Sequence, residues 1–313
     1  MAHKYTSFNL FILLIVTSFY TTLITKNVPI VLIHGILSDK YSMIPTKKFI
    51  KQYLPDAYVK SIKLGKGKIT SLCNMQDQVQ WLKEEIEADE HLQDGFIMIC
   101  HSQGGLVGRY FIEKYNNPHV YVYISWAGPE SGIFGSPGKV DNRFAWLKLL
   151  ESYSYKIAYS YLMQKCISFA GYWKDPLHYE AYLQKNLFLP YLNNEINHPD
   201  TALFKENICN LTAMVLVQST REDVVDPAAS CHFGFYPQGS VDCIQPLFDS
   251  EWYQSDKLGL KTLAESGRLH LKFAHCCHTD FQTDKQNFIE NTLPYLRHDP
   301  SIHPLRGTQG ERI

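Results

Sequence analysis

The chain has 313 residues, of which 45% are hydrophobic and 19% are charged, and its formal net charge is −1. These values exclude the composition of a disordered chain and the basic excess that nucleic-acid binding requires. The length allows one large domain or two small ones.

The N-terminal segment indicates a secretory route. Lys4 precedes an apolar stretch from Phe8 to Tyr20, which is short for a bilayer span and long enough for a signal-peptide core. We therefore expect a signal peptide over residues 1–25, with an uncleaved signal anchor as the alternative. The expected destination is the secretory pathway.

A secretory route permits disulfides, and the chain has eight cysteines. The first pair that we expect is Cys231 with Cys243, because these two flank a turn-rich loop. Cys100 is expected to be free and inside the core. Asn210 begins an Asn-Leu-Thr sequon and is the predicted N-glycosylation site.

Hydrophobic patterning predicts strands that alternate with helices. The predicted strands are residues 28–34, 57–64, 96–100, 120–127, 211–219 and 269–274, and the predicted helices include 75–91 and 104–115. Such alternation favours an α/β fold with a mostly parallel sheet that helices cover on both faces.

Between the fourth and fifth predicted strands lies a long block rich in aromatic residues. Residues 128–207 have helical patterns and no strong strand, so we expect a mainly helical insertion over the carboxyl edge of the sheet. Ordinary packing helices are the alternative. The whole domain is expected to cover residues 26–297, followed by a polar tail over 298–313.

The stretch MICHSQGGLV places Ser102 where a strand turns sharply into a helix, which is the setting of a nucleophile elbow. Residues two before and two after the serine must be small, or strand and helix cannot close. Gly104 meets this requirement, and Cys100 stands where the motif usually has glycine. The alternative is a serine in an ordinary turn.

The loop after the first strand has the sequence His34-Gly35-Ile36. In folds of this kind that loop supplies one backbone N–H to an oxyanion hole, and the residue after the nucleophile supplies the other. We therefore expect the amides of Ile36 and Gln103 to stabilise a tetrahedral intermediate, and we expect their side chains to matter less.

An acid is expected after the fifth strand, where Glu222, Asp223 and Asp226 compete. Asp223 lies four residues before Pro227 and is the preferred choice. Glu222 remains open, since such triads accept either acid, and Asp226 is more typical of a turn.

A base is expected after the last strand. His278 occupies that loop, whereas His270 lies within the strand and is expected to be structural. The order Ser102, Asp223, His278 matches α/β-hydrolases. The stretch His275-Cys276-Cys277-His278 offers four metal-ligand types, but adjacent residues cannot easily surround one ion. We expect neither a metal nor an organic cofactor.

The chain resembles the palmitoyl-protein thioesterase family of lysosomal thioesterases, nearer its second paralogue. The resemblance is carried by the stretches VPIVLIHGILSD, ICHSQGGLVGRYFIE, YISWAGPESGIFG, GYWKDP, HFGFY and DKLGLKTLAESG. It covers residues 28–296 and implies an α/β-hydrolase fold and hydrolysis of long-chain acyl thioesters. It also implies the lysosome as the destination, with secretion as the alternative. Ser102 and His278 fall on matching positions, while the family's aspartate falls near residues 222–223. A small-residue variant of the elbow is also a feature of the family.

The implied substrate is an S-acylated protein or an acyl-CoA. We expect a groove for the acyl chain that Trp146, Leu150, Tyr159, Leu162 and Phe169 line or support. The competing hypotheses are a lipase or carboxylester hydrolase on the same residues, and a catalytically silent lipid-binding protein.

Overall fold

The computed structural model describes residues 27–134 and 154–296. The predicted signal peptide, the predicted tail, Trp146 and Leu150 lie outside the described residues. Within the described ranges, no helix is both long and apolar enough to cross a bilayer.

A sheet of six parallel strands forms the centre of the molecule, in the order β2-β1-β3-β4-β5-β6. The strands are β1 (Ile30–Ile33), β2 (Val59–Ser61), β3 (Phe96–His101), β4 (Val120–Trp126), β5 (Ala213–Ser219) and β6 (Leu269–Ala274). Each predicted strand is confirmed, and most are one to three residues shorter at an end than the pattern indicated.

The strand order places a crevice between the carboxyl ends of β1 and β3. The chain leaves β1 toward β2 on one side, and it leaves β3 toward β4 on the other. Ligands of open α/β sheets bind at such a switch point. The loop after β1 and the turn after β3 therefore meet there, and these are the two segments with predicted site residues.

Helices cover both faces of the sheet. The longer ones are α1 (Ile44–Tyr53), α2 (Met75–Glu87) and α3 (Gln103–Lys114). Side chains alternate along β3, so Met98 and Cys100 pack with α2 and α3, whereas Ile97 and Ile99 pack on the opposite face with α1. The near-continuous apolar run of β3 is thus explained by burial on both sides.

The described part of the block between β4 and β5 contains short helices and no named strand. They are α4 (Ser154–Ala158), α5 (Tyr161–Cys166), α6 (Ser168–Gly171), α7 (Tyr179–Lys185), α8 (Leu189–Leu192) and α9 (Thr201–Cys209). The division into a main domain and an insertion stays a prediction.

The remaining helices follow β5 and β6. They are α10 (Glu251–Gln254), α11 (Leu260–Glu265), α12 (Lys285–Asn287) and α13 (Leu293–Leu296), with a π-helical turn over Phe288–Thr292 between the last two. This last helical stretch packs beside α1 under the sheet, where the ring centroids of Phe49 and Phe288 lie 5.7 Å apart.

Candidate active site

Ser102 lies between β3 and α3 and has a backbone conformation that residues other than glycine rarely adopt. Its φ is 55° and its ψ is −132°, and the residue is buried. A Cβ on Gly104 would approach the carbonyl oxygen of His34 to 2.6 Å, and one on Gly35 would approach the Ser102 Cβ to 2.9 Å. The strained turn and the close approach of its neighbours are those of a nucleophile elbow.

Cys100 fits two residues before Ser102 because the facing helix provides the space. Its Sγ lies 2.6 Å from where a Cβ on Gly108 would stand, and the Sδ of Met98 lies at the same distance from that point. Gly108 is one turn along α3 from Gly104. The cysteine therefore replaces the usual glycine without preventing closure of the turn. It is free and buried, as expected, and burial raises the pKa of its thiol.

A chain of hydrogen bonds joins Ser102, His278 and Glu222. His278 Nε2 lies 2.9 Å from Ser102 Oγ, and His278 Nδ1 lies 2.7 Å from Glu222 Oε1. The ionised carboxylate can only accept, so Nδ1 carries the proton and Nε2 is free to accept the serine proton. All three side chains are buried. This is the arrangement of a serine nucleophile, its base and an orienting acid.

The prediction that the Asp223 carboxylate would hold the imidazole is wrong. Asp223 Oδ1 accepts a hydrogen bond of 3.2 Å from the backbone N–H of His278, whereas Glu222 contacts the ring. The reason lies in the loop itself. Glu222 Oε1 also accepts from the amides of Val224 and Val225, at 3.0 and 2.9 Å, so the turn aims that side chain at His278.

Glu222 stays ionised despite its burial. Burial alone would raise the pKa of its carboxyl group, but the adjacent His278 and the two loop amides outweigh it, and the pKa is lowered from its usual value of 4.5. Asp226, the third competing acid, has its backbone carbonyl bonded to Phe134 N at 2.7 Å.

His101 holds the backbone of His278, and Gln282 in turn orients His101; neither residue was predicted from the sequence. His101 Nε2 lies 2.9 Å from the carbonyl oxygen of His278, and His101 Nδ1 lies 2.7 Å from Gln282 Nε2. The carbonyl needs a donor and the amide NH₂ supplies one, so His101 is neutral with its proton on Nε2. Burial lowers the pKa of His101 to about 3, helped by the nearby His278. The sequence signal that could have indicated this role is the polar residue His101 directly before Ser102.

The two predicted oxyanion amides lie on segments that Ser71 joins. Leu37 N donates to Ser71 Oγ at 2.7 Å, directly after Ile36, and Gln103 Nε2 donates to the Ser71 carbonyl oxygen at 2.7 Å. Tyr172 OH donates to Gln103 Oε1 at 3.0 Å. The Gln103 side chain is thus a buried link between these segments. The oxyanion role of Ile36 and Gln103 stays a prediction.

A buried ionic cluster fixes the helix that begins at the elbow. Arg109 Nη1 lies 3.0 Å from Glu113 Oε1, and Arg109 Nε lies 2.9 Å from Glu130 Oε2. Arg109 Nη2 also donates to Asn193 Oδ1 at 2.7 Å. Burial raises the pKa of Glu113 well above its usual value, against the attraction of Arg109. The cluster ties α3 to the loop after β4 and to the segment before α9.

The described residues of the predicted acyl-chain groove differ in burial. Tyr159 and Phe169 are buried, and the Tyr159 hydroxyl accepts from Asp175 N at 2.9 Å. Leu162 is 70% exposed, so it does not lie in the core with Tyr159 and Phe169, and its part in an acyl-chain groove stays a prediction. It lies on the outer face of α5, whose inward position is taken by Gln164.

The remaining predictions concern a glycosylation site, a disulfide, a structural histidine and a metal ion. Asn210 is exposed at the end of α9, where a glycan would be accessible, and its occupancy stays a prediction. The expected disulfide is wrong, since Cys231 is buried, Cys243 is exposed and both are free. His270 lies within β6, as expected, and burial lowers its pKa to about 4. Among the described residues, no group of three His, Cys, Asp or Glu could hold a metal ion.

A parallel sheet with a strained Ser102 elbow at its switch point, next to His278 and a carboxylate, defines an α/β-hydrolase, and the protein is a hydrolase enzyme. A family model described as palmitoyl protein thioesterase matches residues 29–278. The chain belongs to that family.

Two curated relatives illustrate the similarity. The chain is 38% identical over 289 residues to palmitoyl-protein thioesterase 3 of Dictyostelium discoideum, covering 91% of this chain and 98% of the relative. It is 29% identical over 272 residues to the lysosomal thioesterase PPT2 of Rattus norvegicus, covering 86% and 87%. A solved lipase of Bacillus licheniformis is 16% identical with a TM-score of 0.46, covering 87% of this chain and 92% of the lipase.

Proposed function

We propose that the protein hydrolyses long-chain fatty acyl thioesters through an acyl-enzyme on Ser102. The observation that carries this is the continuous hydrogen-bond chain from Ser102 through His278 to Glu222, at 2.9 and 2.7 Å. The family supplies the thioester class, since the matching model describes palmitoyl protein thioesterases.

In the first half of the reaction, Ser102 Oγ attacks the thioester carbonyl carbon while His278 Nε2 takes the hydroxyl proton. The negative charge that develops on the carbonyl oxygen is met by the amides of Ile36 and Gln103, and each such donor is worth about 3 kcal/mol. The C–S bond then breaks, and the imidazolium returns its proton to the leaving sulfur. The products are a free thiol and an acyl ester on Ser102.

In the second half, His278 takes a proton from water, which attacks the acyl ester. The C–Oγ bond breaks, Ser102 regains its proton from the imidazolium, and a fatty acid leaves. Glu222 holds the Nδ1 proton in place throughout and stabilises the imidazolium. Because a thiol is a good leaving group, the departing sulfur needs little assistance beyond the proton from His278.

Selectivity for long chains then depends on apolar contacts. Each buried CH₂ contributes about 0.8 kcal/mol. The aromatic-rich insertion between β4 and β5, with Tyr159 and Phe169 buried in it, supports an acyl-binding role. Trp146 and Leu150 are proposed to contribute to the same groove. The substrate is an S-acylated protein or an acyl-CoA, and no cofactor takes part.

We further propose a lysosomal location, reached through the secretory pathway. The predicted signal peptide and the similarity to lysosomal thioesterases support it. Loss of lysosomal co-localisation is expected when residues 1–25 are deleted, and unchanged localisation of that deletion would contradict the proposal.

The direct test is thiol release from palmitoyl-CoA by the purified full chain, with Ser102→Ala as the matched control. Turnover by the wild type and none by the variant supports the proposal. A matched oxyester substrate separates the thioesterase from a lipase or carboxylester hydrolase. A wild type that binds palmitoyl-CoA but turns over neither substrate would instead be a silent lipid-binding protein.

A further inference from the structure

Two adjoining segments, one of which Ser71 joins to the loop after β1, expose large apolar side chains beside lysines. Ile69, Tyr161 and Leu162 are 79%, 75% and 70% exposed. Single exposed apolar residues are normal, but several on adjoining segments indicate an interaction surface. We use the name rim surface for the following exposed residues: Lys66, Lys68, Ile69, Tyr161, Leu162 and Lys165.

The two segments of the rim surface are in contact. Asn74 Nδ2 donates to the carbonyl oxygen of Lys165 at 2.9 Å, and Ser168 Oγ donates to that of Ser71 at 3.1 Å. Lys165 Nζ lies 5.8 Å from the ring centroid of Tyr161. The segment over residues 63–74 and the segment of α5 and α6 therefore adjoin each other.

The loop that presents Ile69 is braced from within. Thr70 Oγ1 lies 2.6 Å from the Gly67 carbonyl oxygen, and Ser71 Oγ donates to that of Lys68 at 2.5 Å. The same Ser71 hydroxyl accepts from Leu37 N at 2.7 Å, directly after the predicted oxyanion residue Ile36. The exposed isoleucine is thus held outward by an ordered loop that is joined to the active site.

Within the two segments, every charged side chain is basic. Residues 57–76 and 154–174 contain no aspartate or glutamate. Within the described parts of the chain, Lys66, Lys68 and Lys165 form no ion pair with a carboxylate. The neighbouring acid is the exposed Asp77, which the Asn74 amide binds at 2.8 Å. Lysines that surround exposed apolar side chains match a bilayer with anionic headgroups.

We propose that the rim surface docks the protein on an anionic lipid bilayer. The lysines meet the headgroups, and Ile69, Tyr161 and Leu162 enter the boundary with the acyl chains. A soluble acidic partner would satisfy the lysines but not the three apolar side chains. The consequence for catalysis rests on the proposed function: docking brings membrane-anchored S-acyl groups to Ser102.

The test compares vesicle binding of two charge-reversing double variants of the full-length protein. Lys68→Glu with Ile69→Asp alters the rim surface. Lys48→Glu with Ile44→Asp makes the same changes on α1, where Ile44 is 42% exposed. In flotation with vesicles of phosphatidylcholine and phosphatidylglycerol, we expect the rim variant to lose about tenfold in partitioning, and the α1 variant to bind like the wild type. Vesicles of phosphatidylcholine alone should bind all three proteins weakly.

Two activity assays separate this proposal from the proposed function. The rim variant should hydrolyse a soluble short-chain acyl thioester like the wild type, and an S-palmitoyl peptide in anionic vesicles about tenfold more slowly. A wild type that binds vesicles but hydrolyses neither substrate overturns the proposed function and leaves docking supported. Equal vesicle binding by both variants overturns docking. So does an unchanged vesicle affinity with a raised KM for acyl-CoA, because the lysines would then hold substrate phosphates.

Discussion

The two ends of the hydrogen-bond chain from Ser102 to Glu222 are positioned in different ways. Close packing of the backbone positions Ser102, whereas hydrogen bonds and charge position the Glu222 carboxylate. Around Ser102, Gly35 and Gly104 leave no room for a Cβ. Around Glu222, two loop amides and the imidazole hold the carboxylate. Changes at the first end should therefore act through packing and stability. Changes at the second end should act through electrostatics and kcat.

The largest effect is expected at Glu222. Glu222→Gln should lower kcat about 10³- to 10⁴-fold, because an amide in place of the carboxylate no longer fixes the imidazole tautomer. Asp223→Asn, the neighbouring control, should cost less than tenfold, since its oxygen only accepts from the His278 backbone. Steady-state thiol release measures both. A reversed order of the two losses would restore Asp223 as the triad acid.

A smaller loss is expected at His101, which acts through the His278 backbone. His101→Phe removes the donor to the His278 carbonyl and should lower kcat about 10- to 100-fold with KM nearly unchanged, since the imidazole is then misplaced. His101→Gln keeps a donor and an acceptor and should restore part of the rate. If both variants lose stability equally and keep kcat, His101 has only a packing role.

At the elbow, stability is the expected readout. Gly104→Ala should cost about 3 kcal/mol of unfolding free energy, because its Cβ meets the backbone of His34. Gly108→Ala should cost about 1 kcal/mol, because its Cβ meets the sulfur atoms of Cys100 and Met98. Adding Cys100→Ala to Gly108→Ala should recover part of that loss in urea unfolding. Additive losses would show that Gly108 does not accommodate Cys100.

The last prediction concerns the pH dependence of stability, which builds up gradually over several pH units. The pKa of His101 is lowered to about 3 in the folded protein from its usual value of 6.5. The unfolded chain therefore binds a proton at His101 that the folded chain does not bind. As the pH drops from about 6.5 toward 3, this one group lowers the free energy of unfolding by at most about 1.4 kcal/mol per pH unit.

Glu222 adds a loss at lower pH. Its pKa is lowered from 4.5, so its contribution is present above 4.5 and is lost as the pH falls through the folded pKa. Between pH 7 and 4, the free energy of unfolding of His101→Gln should change less with pH than that of the wild type. An equal slope would contradict a buried neutral His101.

The fold and the Ser102 elbow could be predicted from sequence because they depend on local properties. β3 is apolar throughout since both of its faces are buried, and Gly104 is required by a contact two residues from the serine. His278 was also predicted, because the triad histidine of this fold lies in the loop after the last strand of the sheet. Each of these inferences uses neighbours in the chain or the order of strands.

The rest depended on how distant loops turn. Whether Glu222 or Asp223 faces the imidazole is decided by the amides of Val224 and Val225, which composition does not reveal. Gln282 meets His101 across 181 positions of sequence. The expected Cys231–Cys243 pair failed for the same reason, since flanking a loop does not bring two side chains together.

The central claim is that the acyl group passes through Ser102, and trapping that intermediate tests it most directly. The full-length protein is mixed with an alkyne-tagged palmitoyl thioester, quenched in acid and mapped by mass spectrometry. We expect the acyl mass on the peptide containing Ser102, resistant to neutral hydroxylamine as an oxygen ester, and absent in Ser102→Ala. Acyl groups on one of the free cysteines instead, lost in hydroxylamine and unaffected by Ser102→Ala, would contradict the account.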